Sequence, residues 1–238
     1  MSETVTICLP VLNETEVIQE VVTDWLRICD NLPHGSQVLV EDGGSTDGTI
    51  AILNNLRLQH SNLKVNFREK PDGFGNAAKR LLSEPETDWV FFTDSDGQYV
   101  AEDFWILWEK RDGFDVVRGV KMGRQDPFIR RVTSFFWNKA VSFLFNFPLI
   151  DINAAYVLMK RTSLEVALPK VVRLETLVTS ELIIRFILAN FEIKNTYIQH
   201  RKRAAGASRG VPTSKLPLIA FKQLIGLFKI KSDYRVES

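Results

Sequence analysis

Five short apolar runs punctuate the first half of the chain, and their spacing restricts it to one class of fold. VTICLPVL (5–12), QVLVE (37–41), KVNFR (64–68), WVFFT (89–93) and DVVRG (115–119) each have the length of a buried strand. Between them apolar residues return at helical spacing. Val17, Ile18, Val21, Val22, Trp25, Leu26 and Cys29 form one such face from Glu14 onward, and Ile50, Leu53, Leu56 and Leu58 a second. Ala77 to Leu82 and Ala101 to Arg111 supply two more. Short strands alternating with helices predict an α/β protein with a mainly parallel central sheet flanked by helices. After Gly119 the rhythm changes. Arg130 to Phe147 reads as an aromatic-rich helix, Ile152 to Met159 as a strand returning to the sheet, Leu177 to Asn190 as a helix and Glu192 to His200 as a strand. Lys215 to Lys231 is helical in pattern but apolar around most of its circumference, with Lys215, Lys222 and Lys229 in one stripe.

Parallel α/β sheets bind ligands at the carboxyl ends of their strands, and three motifs fall there. In FFTDSDGQY (91–99), Asp94 and Asp96 stand one residue apart after the fourth run. Two such carboxylates repel unless a cation lies between them. Mg²⁺ and Mn²⁺ suit the pair, since one or two carboxylates plus substrate phosphates form a usual site, and Gln98 can add an amide oxygen. A helix N-cap followed by a first-turn acid is the plainer alternative. DGGSTDGT (42–49) offers Asp42 to a base or ribose, small residues that admit a ligand to the backbone, and Asp47 or Thr46 to cap the next helix. DGFGNAAK (72–79) carries Gly73 and Gly75 into a helix start, an anion site if it is more than a turn. It is not GxGxxG and no ribose-binding acid follows at the right distance, which argues against a dinucleotide. Together the motifs describe a pocket for a nucleotide, with a metal for its diphosphate.

Charge is uneven. From Glu192 onward there are ten Lys or Arg against three Asp or Glu, and before it 20 against 26. A basic tail on an acidic body favours an anionic partner such as phosphate or a lipid surface, or simply keeps the chain soluble. With no recognisable nucleic-acid module beside it, the stretch does not point to DNA or RNA. Cys8 and Cys29 lack metal spacing and read as buried small apolar residues. With neither a leader sequence nor an unbroken apolar stretch of about 20 residues, the expected location is cytoplasmic.

The ordered set ICLPVLNE, VLVEDGGSTDGT, GFGNAAK and FFTDSDGQ resembles the family 2 glycosyltransferases of GT-A fold, a Rossmann-like architecture. Within that family it is most similar to the dolichol- and polyprenyl-phosphate sugar synthases. GVKMGRQDPFIRR (119–131), DINAAYVLMKR (151–161), SELIIR (180–185) and HRKRAAGASRG (200–210) resemble the group's later blocks. The resemblance implies a catalytic domain over 1–210, with a nucleotide-sugar half to about 120 and an acceptor half beyond it, and a basic amphipathic C-terminal segment over 211–238. It implies that Pro10, Asn13 and Glu14 border the nucleotide, that Asp42 contacts base or ribose, and that Asp94 meets the nucleotide sugar. Asp96 and Gln98 would hold the metal, while Arg130, Arg131, Arg201, Arg203 and Ser208 approach phosphates. The chain departs from the group at Gly43, where a second acid is usual, at Lys121 and Val157, where Arg and a basic residue are common, and at Asn153, often an acid.

The expected activity is inverting transfer from a GDP- or UDP-sugar to a polyprenyl phosphate, dependent on Mg²⁺ or Mn²⁺, at the cytoplasmic membrane face. A lipid phosphate is already an anion and needs no strong general base, whereas a sugar hydroxyl does. Asp151 and Glu181 are the candidate bases for the second case; for Glu181 a surface or helix-end acid is the bland alternative. A saccharide acceptor and a catalytically silent nucleotide-sugar-binding protein are the rival readings. The aromatic helix and the Lys-striped tail suit a peripheral membrane contact without a span, or else pack on the domain.

Overall fold

A computed structural model describes residues 3–122, 128–147, 150–202 and 216–237. Its centre is a seven-stranded sheet: β1 (Val5–Val11), β2 (Gln37–Asp42), β3 (Leu63–Phe67), β4 (Trp89–Thr93), β5 (Val116–Met122), β6 (Tyr156–Lys160) and β7 (Ile193–Gln199), in the order β3-β2-β1-β4-β6-β5-β7. The first four strands are mutually parallel; β6 runs antiparallel between β4 and β5, and β7 pairs parallel with β5 at the far edge. Burial follows position. All seven residues of the central β1 are buried, as a strand covered on both faces requires. In β7 only Thr196 and Ile198 are buried, the alternation of a half-exposed edge.

The helices are α1 (Ile18–Asp30), α2 (Thr49–Gln59), α3 (Phe74–Ser83), α4 (Phe104–Glu109), α5 (Phe128–Phe145), α6 (Arg161–Ala167), α7 (Val178–Leu188) and α8 (Leu216–Glu237). Helix α1 buries the predicted stripe, Ile18 through Cys29. Its Trp25 lies 5.2 Å from Phe91 of β4, and Phe91 in turn packs edge-on against Phe104 and Tyr156. Phe91 is fully buried, so its truncation to alanine would cost about 3–5 kcal/mol. Helix α6 and the 3-10 turn Leu168–Lys170 behind it were not legible as elements. Both cysteines are free and buried, and burial pushes the Cys29 thiol up to about 11.

Helix α8 is two-faced. Gln223, Gly226, Leu227 and Ile230 are buried against the protein, whereas Phe221, Leu224, Ile225 and Phe228 are exposed on other sides of the same helix. The buried face lies on the loop 171–177: Gln223 Nε2 donates to Thr176 Oγ1 at 2.8 Å, and Arg173 grips Asp233 through two bonds of 3.0 and 3.1 Å. A methyl group at Gly226 would stand 2.8 Å from the Arg173 carbonyl oxygen, so only glycine allows this approach. The loop's other side presses on the start of α3, where a methyl at Gly75 would stand 2.0 Å from the Glu175 carbonyl oxygen.

Candidate active site

Strand β4 delivers FFT buried to its end, then releases Asp94 and Asp96 half-exposed at its carboxyl terminus. The segment is held by its own backbone and by its neighbours. The Ser95 hydroxyl turns down to donate to the Pro10 carbonyl at 2.8 Å, and Gly97 takes φ +74°. The Gln98 N–H donates to Asp96 Oδ1 at 3.1 Å. Gln98 also closes onto the end of β7, accepting from the Arg201 N–H at 2.8 Å and donating Nε2 to the Arg201 carbonyl at 3.1 Å. That leaves the Gln98 side-chain oxygen as its second polar atom. The oxygen donors here suit a hard divalent cation. Among the described residues no group of three or more His, Cys, Asp or Glu is placed to hold a metal ion.

Beneath this segment lies Tyr99. Its hydroxyl accepts from the Ala155 N–H at 3.1 Å, and its ring packs on Tyr156 at 5.1 Å and His200 at 5.4 Å. Burial raises the Tyr99 pKa well above 10, and the negative charges of Asp94, Asp151 and Asp96 add to it. Three acids therefore act on this one buried hydroxyl. Lys121 Nζ lies 5.5 Å from the Tyr99 ring on the same side. Thus Asp94, Asp96, Gln98, Lys121, Asp151 and the Arg201 backbone are brought together, with Arg201's side chain exposed.

On the other flank, Pro10 is buried and offers only its carbonyl. Asn13, at φ +54°, accepts the Thr46 N–H at 2.6 Å, and the Glu14 N–H donates to Thr49 Oγ1 at 2.9 Å. These bonds lock the β1 and β2 turns together. Asp47 accepts the Thr49 N–H at 3.1 Å from just before α2, but the N-cap itself is Gly48 in the left-handed region, so neither Asp47 nor Thr46 caps the helix.

Two expected site residues are corrected. Asp42 is fully buried: Oδ1 accepts the N–H groups of Gly44 (3.0 Å) and Ser45 (2.8 Å), and Oδ2 accepts the Ser45 hydroxyl (2.5 Å). It shapes the turn and cannot reach a base or ribose from there. Glu181 is also fully buried. Its carboxylate accepts the N–H groups of Val172, Arg173 and Leu174 at 2.6–3.0 Å and pairs with Arg185 at 3.2 Å. Held this way it organises a loop and is not a general base. Gly75 is likewise covered by Glu175, whereas Gly73 stays open at φ +95°. Arg131 is exposed on α5. The Arg130 side chain, Arg203 and Ser208 lie outside the described residues.

Sequence reasoning missed Arg118, fully buried in β5 opposite Val157 of β6. Arg inside the apolar run DVVRG was the signal.

The model of the family described as "Glycosyl transferase family 2" matches residues 6–166. The chain belongs to glycosyl transferase family 2. Among solved structures, this glycosyltransferase is similar to glucosyl-3-phosphoglycerate synthase from Mycobacterium tuberculosis. The form with Mn²⁺, UDP-glucose and phosphoglyceric acid superposes with a TM-score of 0.70 at 20% identity, covering 97% of this chain and 80% of that one. Another crystal structure of that synthase gives 0.66 at 22% identity, covering 96% and 80%. At such identity the likeness establishes the fold, GT-A, which the sheet order and flanking helices match.

Proposed function

We propose that this glycosyltransferase moves a sugar, with inversion, from a nucleoside diphosphate sugar of the UDP or GDP type to a polyprenyl phosphate, with Mg²⁺ or Mn²⁺ at Asp94 and Asp96. The observation that carries the donor half is the accessible acid pair at the end of β4, in the crevice where the sheet passes from parallel to antiparallel neighbours. The solved synthase structures that hold Mn²⁺ and UDP-glucose support it. Asp94, Asp96 and the Gln98 oxygen would hold the cation, which when bound neutralises charge on the departing diphosphate. Asn13, Glu14 and the half-buried Gly43 rim the nucleoside side. Lys121 and Arg201 face the acceptor phosphate. A phosphate oxygen forms the bond to the anomeric carbon as the bond to the diphosphate breaks, and the nucleoside diphosphate leaves as an anion. No proton has to be removed, which agrees with Glu181 being engaged elsewhere.

The lipid character of the acceptor rests on the surface of α5 and α8, which pack together. Phe136 and Phe143 are 66% and 86% exposed on α5, and Phe221 and Phe228 both 61% on α8. Lys139, Lys222 and Lys229 are exposed on the same two helices. Apolar side chains of this size left uncovered mark an interaction surface. Flanking lysines fit an anionic bilayer, each contributing about 1 kcal/mol. Among the described residues no helix is long and apolar enough to cross a membrane, so the attachment would be peripheral, at the cytoplasmic face.

A second reading follows the solved synthase structure that holds phosphoglyceric acid: a small phosphorylated acceptor at the same basic side. The decisive assay offers radiolabelled UDP- and GDP-sugars with Mn²⁺ to polyprenyl phosphate in micelles and, separately, to 3-phosphoglyceric acid. Transfer to the lipid, with flotation on anionic vesicles reduced by Phe221→Ser/Phe228→Ser, is expected. Transfer to phosphoglyceric acid alone, with no vesicle binding, would overturn the lipid acceptor.

A further inference from the structure

Arg118 sits mid-strand in β5, between β6 and β7, with no solvent exposure. Withdrawing a guanidinium from water is costly unless its donors are met and its charge is balanced. Nη1 donates to Asn195 Oδ1 at 3.1 Å, and Nη2 to the carbonyls of Asp151 at 2.9 Å and Ile150 at 3.4 Å. Nε finds no acceptor among the described residues. Burial lowers the Arg118 pKa to about 10, and the group stays cationic at neutral pH.

The cation grips the turn that leads into β6. Asp151 occupies the left-handed region at φ +49°, a conformation that Asp tolerates but does not prefer. Its carbonyl is held by Arg118 and by the Ala154 N–H at 3.0 Å, and its carboxylate accepts the Lys121 N–H at 3.2 Å. Asn138 of α5 takes the Ile152 N–H at 3.0 Å, and Tyr99 takes that of Ala155. The turn is therefore strung between β5, α5 and the residue that follows Gln98. An apolar side chain at 118 would leave two carbonyls without that donor, and would remove the positive charge set close to Asp151.

We propose that Arg118 is a positioning residue of the transfer reaction: it locks the 150–152 turn, and so fixes the Asp151 carboxylate and Lys121 on the acceptor side of the cation site. This rests on the reading that a phosphate-bearing acceptor binds beside Lys121. Arg118 touches neither substrate and acts through the turn.

The test compares Arg118→Met, Arg118→Lys and Asn195→Ala in the full chain, using polyprenyl phosphate in detergent micelles and the nucleotide sugar with Mn²⁺. Arg118→Met is expected to raise the acceptor KM about ten-fold or more, with the donor KM within about two-fold. Amide exchange should quicken across 150–156 and stay unchanged across 89–98. Arg118→Lys should recover part of the acceptor KM, and Asn195→Ala, which removes one bond at an exposed residue, should move the same quantities less. Should Arg118→Met not fold, the other two variants carry the test. Acceptor KM and 150–156 exchange both unchanged in the folded variants would overturn the proposal. So would donor and acceptor constants worsening together with the melting midpoint. If the wild type transfers nothing to polyprenyl phosphate, the lipid-acceptor reading fails by itself, and the exchange comparison still decides for or against Arg118.

Discussion

Strands β2 and β4 flank β1 on opposite sides, run parallel to it and end in acids, yet their ends are chemically opposite. At β2, Glu41 and Asp42 are both fully buried. Glu41 accepts from Arg80 Nε at 2.7 Å and sits 3.4 Å from Arg68, while Asp42 is wrapped by its own turn. At β4, Asp94 and Asp96 remain half-exposed. The chain after Asp42 folds back through Gly44 at φ +93° and aims two N–H groups at the carboxylate. After Asp94 the hydroxyl of Ser95 points away, into β1, and the acids stay at the opening. An acid at a strand end marks a ligand site only when the following turn keeps it within reach.

Substitutions that remove charge at the two ends should therefore fail in different ways. Asp96→Asn should lower transfer by roughly 10²–10³-fold, the scale of losing a group that stabilises developing charge. Its melting midpoint should stay within about 2 °C, and EDTA should mimic the loss until Mn²⁺ is restored. Glu41→Gln, which removes the buried carboxylate from the partly exposed Arg80 and Arg68, should cost about 1–3 kcal/mol of stability by denaturant titration, with turnover per folded molecule nearly unchanged. Asp42→Asn should cost about 1–3 kcal/mol through lost turn bonds; a selective rise in donor KM instead would restore Asp42 to the nucleotide site and break the comparison.

The smallest effect belongs to a fifth acid, Asp233 on α8. Its hydrogen bonds from Arg173 hold its pKa below the ordinary 3.8. A depressed folded-state pKa means the clasp contributes above that ordinary value and is lost as pH falls through the lower one. The protection of the amides in the last turns of α8, relative to the intrinsic exchange rate at each pH, should fall only below pH 3.8, and stay flat over roughly pH 5–8. The change will be slight, because the pair is solvent-screened.

The strands and most helices were legible because each buries a continuous run or a stripe, and burial writes itself into local periodicity. The antiparallel insertion of β6 between β4 and β5 was not, since strand order depends on partners far along the chain. The site shows the same divide. Asp94, Asp96 and Gln98, the proposed cation site, form a local pattern in the sequence. Asp42 looked equivalent, and only the Gly44–Ser45 backbone distinguishes it. Glu181 is captured by N–H groups at 172–174 that local sequence does not connect to it. Arg118 was readable as an anomaly, a charge inside a strand, but its hold on Asp151 exists only in three dimensions.

Gly75 and Gly226 close on the loop 171–177 from opposite sides, like the jaws of a vice. Neither position has room for even one more carbon atom. A saturation scan of this gene would flag both as intolerant, although neither belongs to the chemistry. The sensitivity would report the thickness of a gasket between the start of α3 and the last helix, and a reader of such a map would be misled into drawing the catalytic centre too wide.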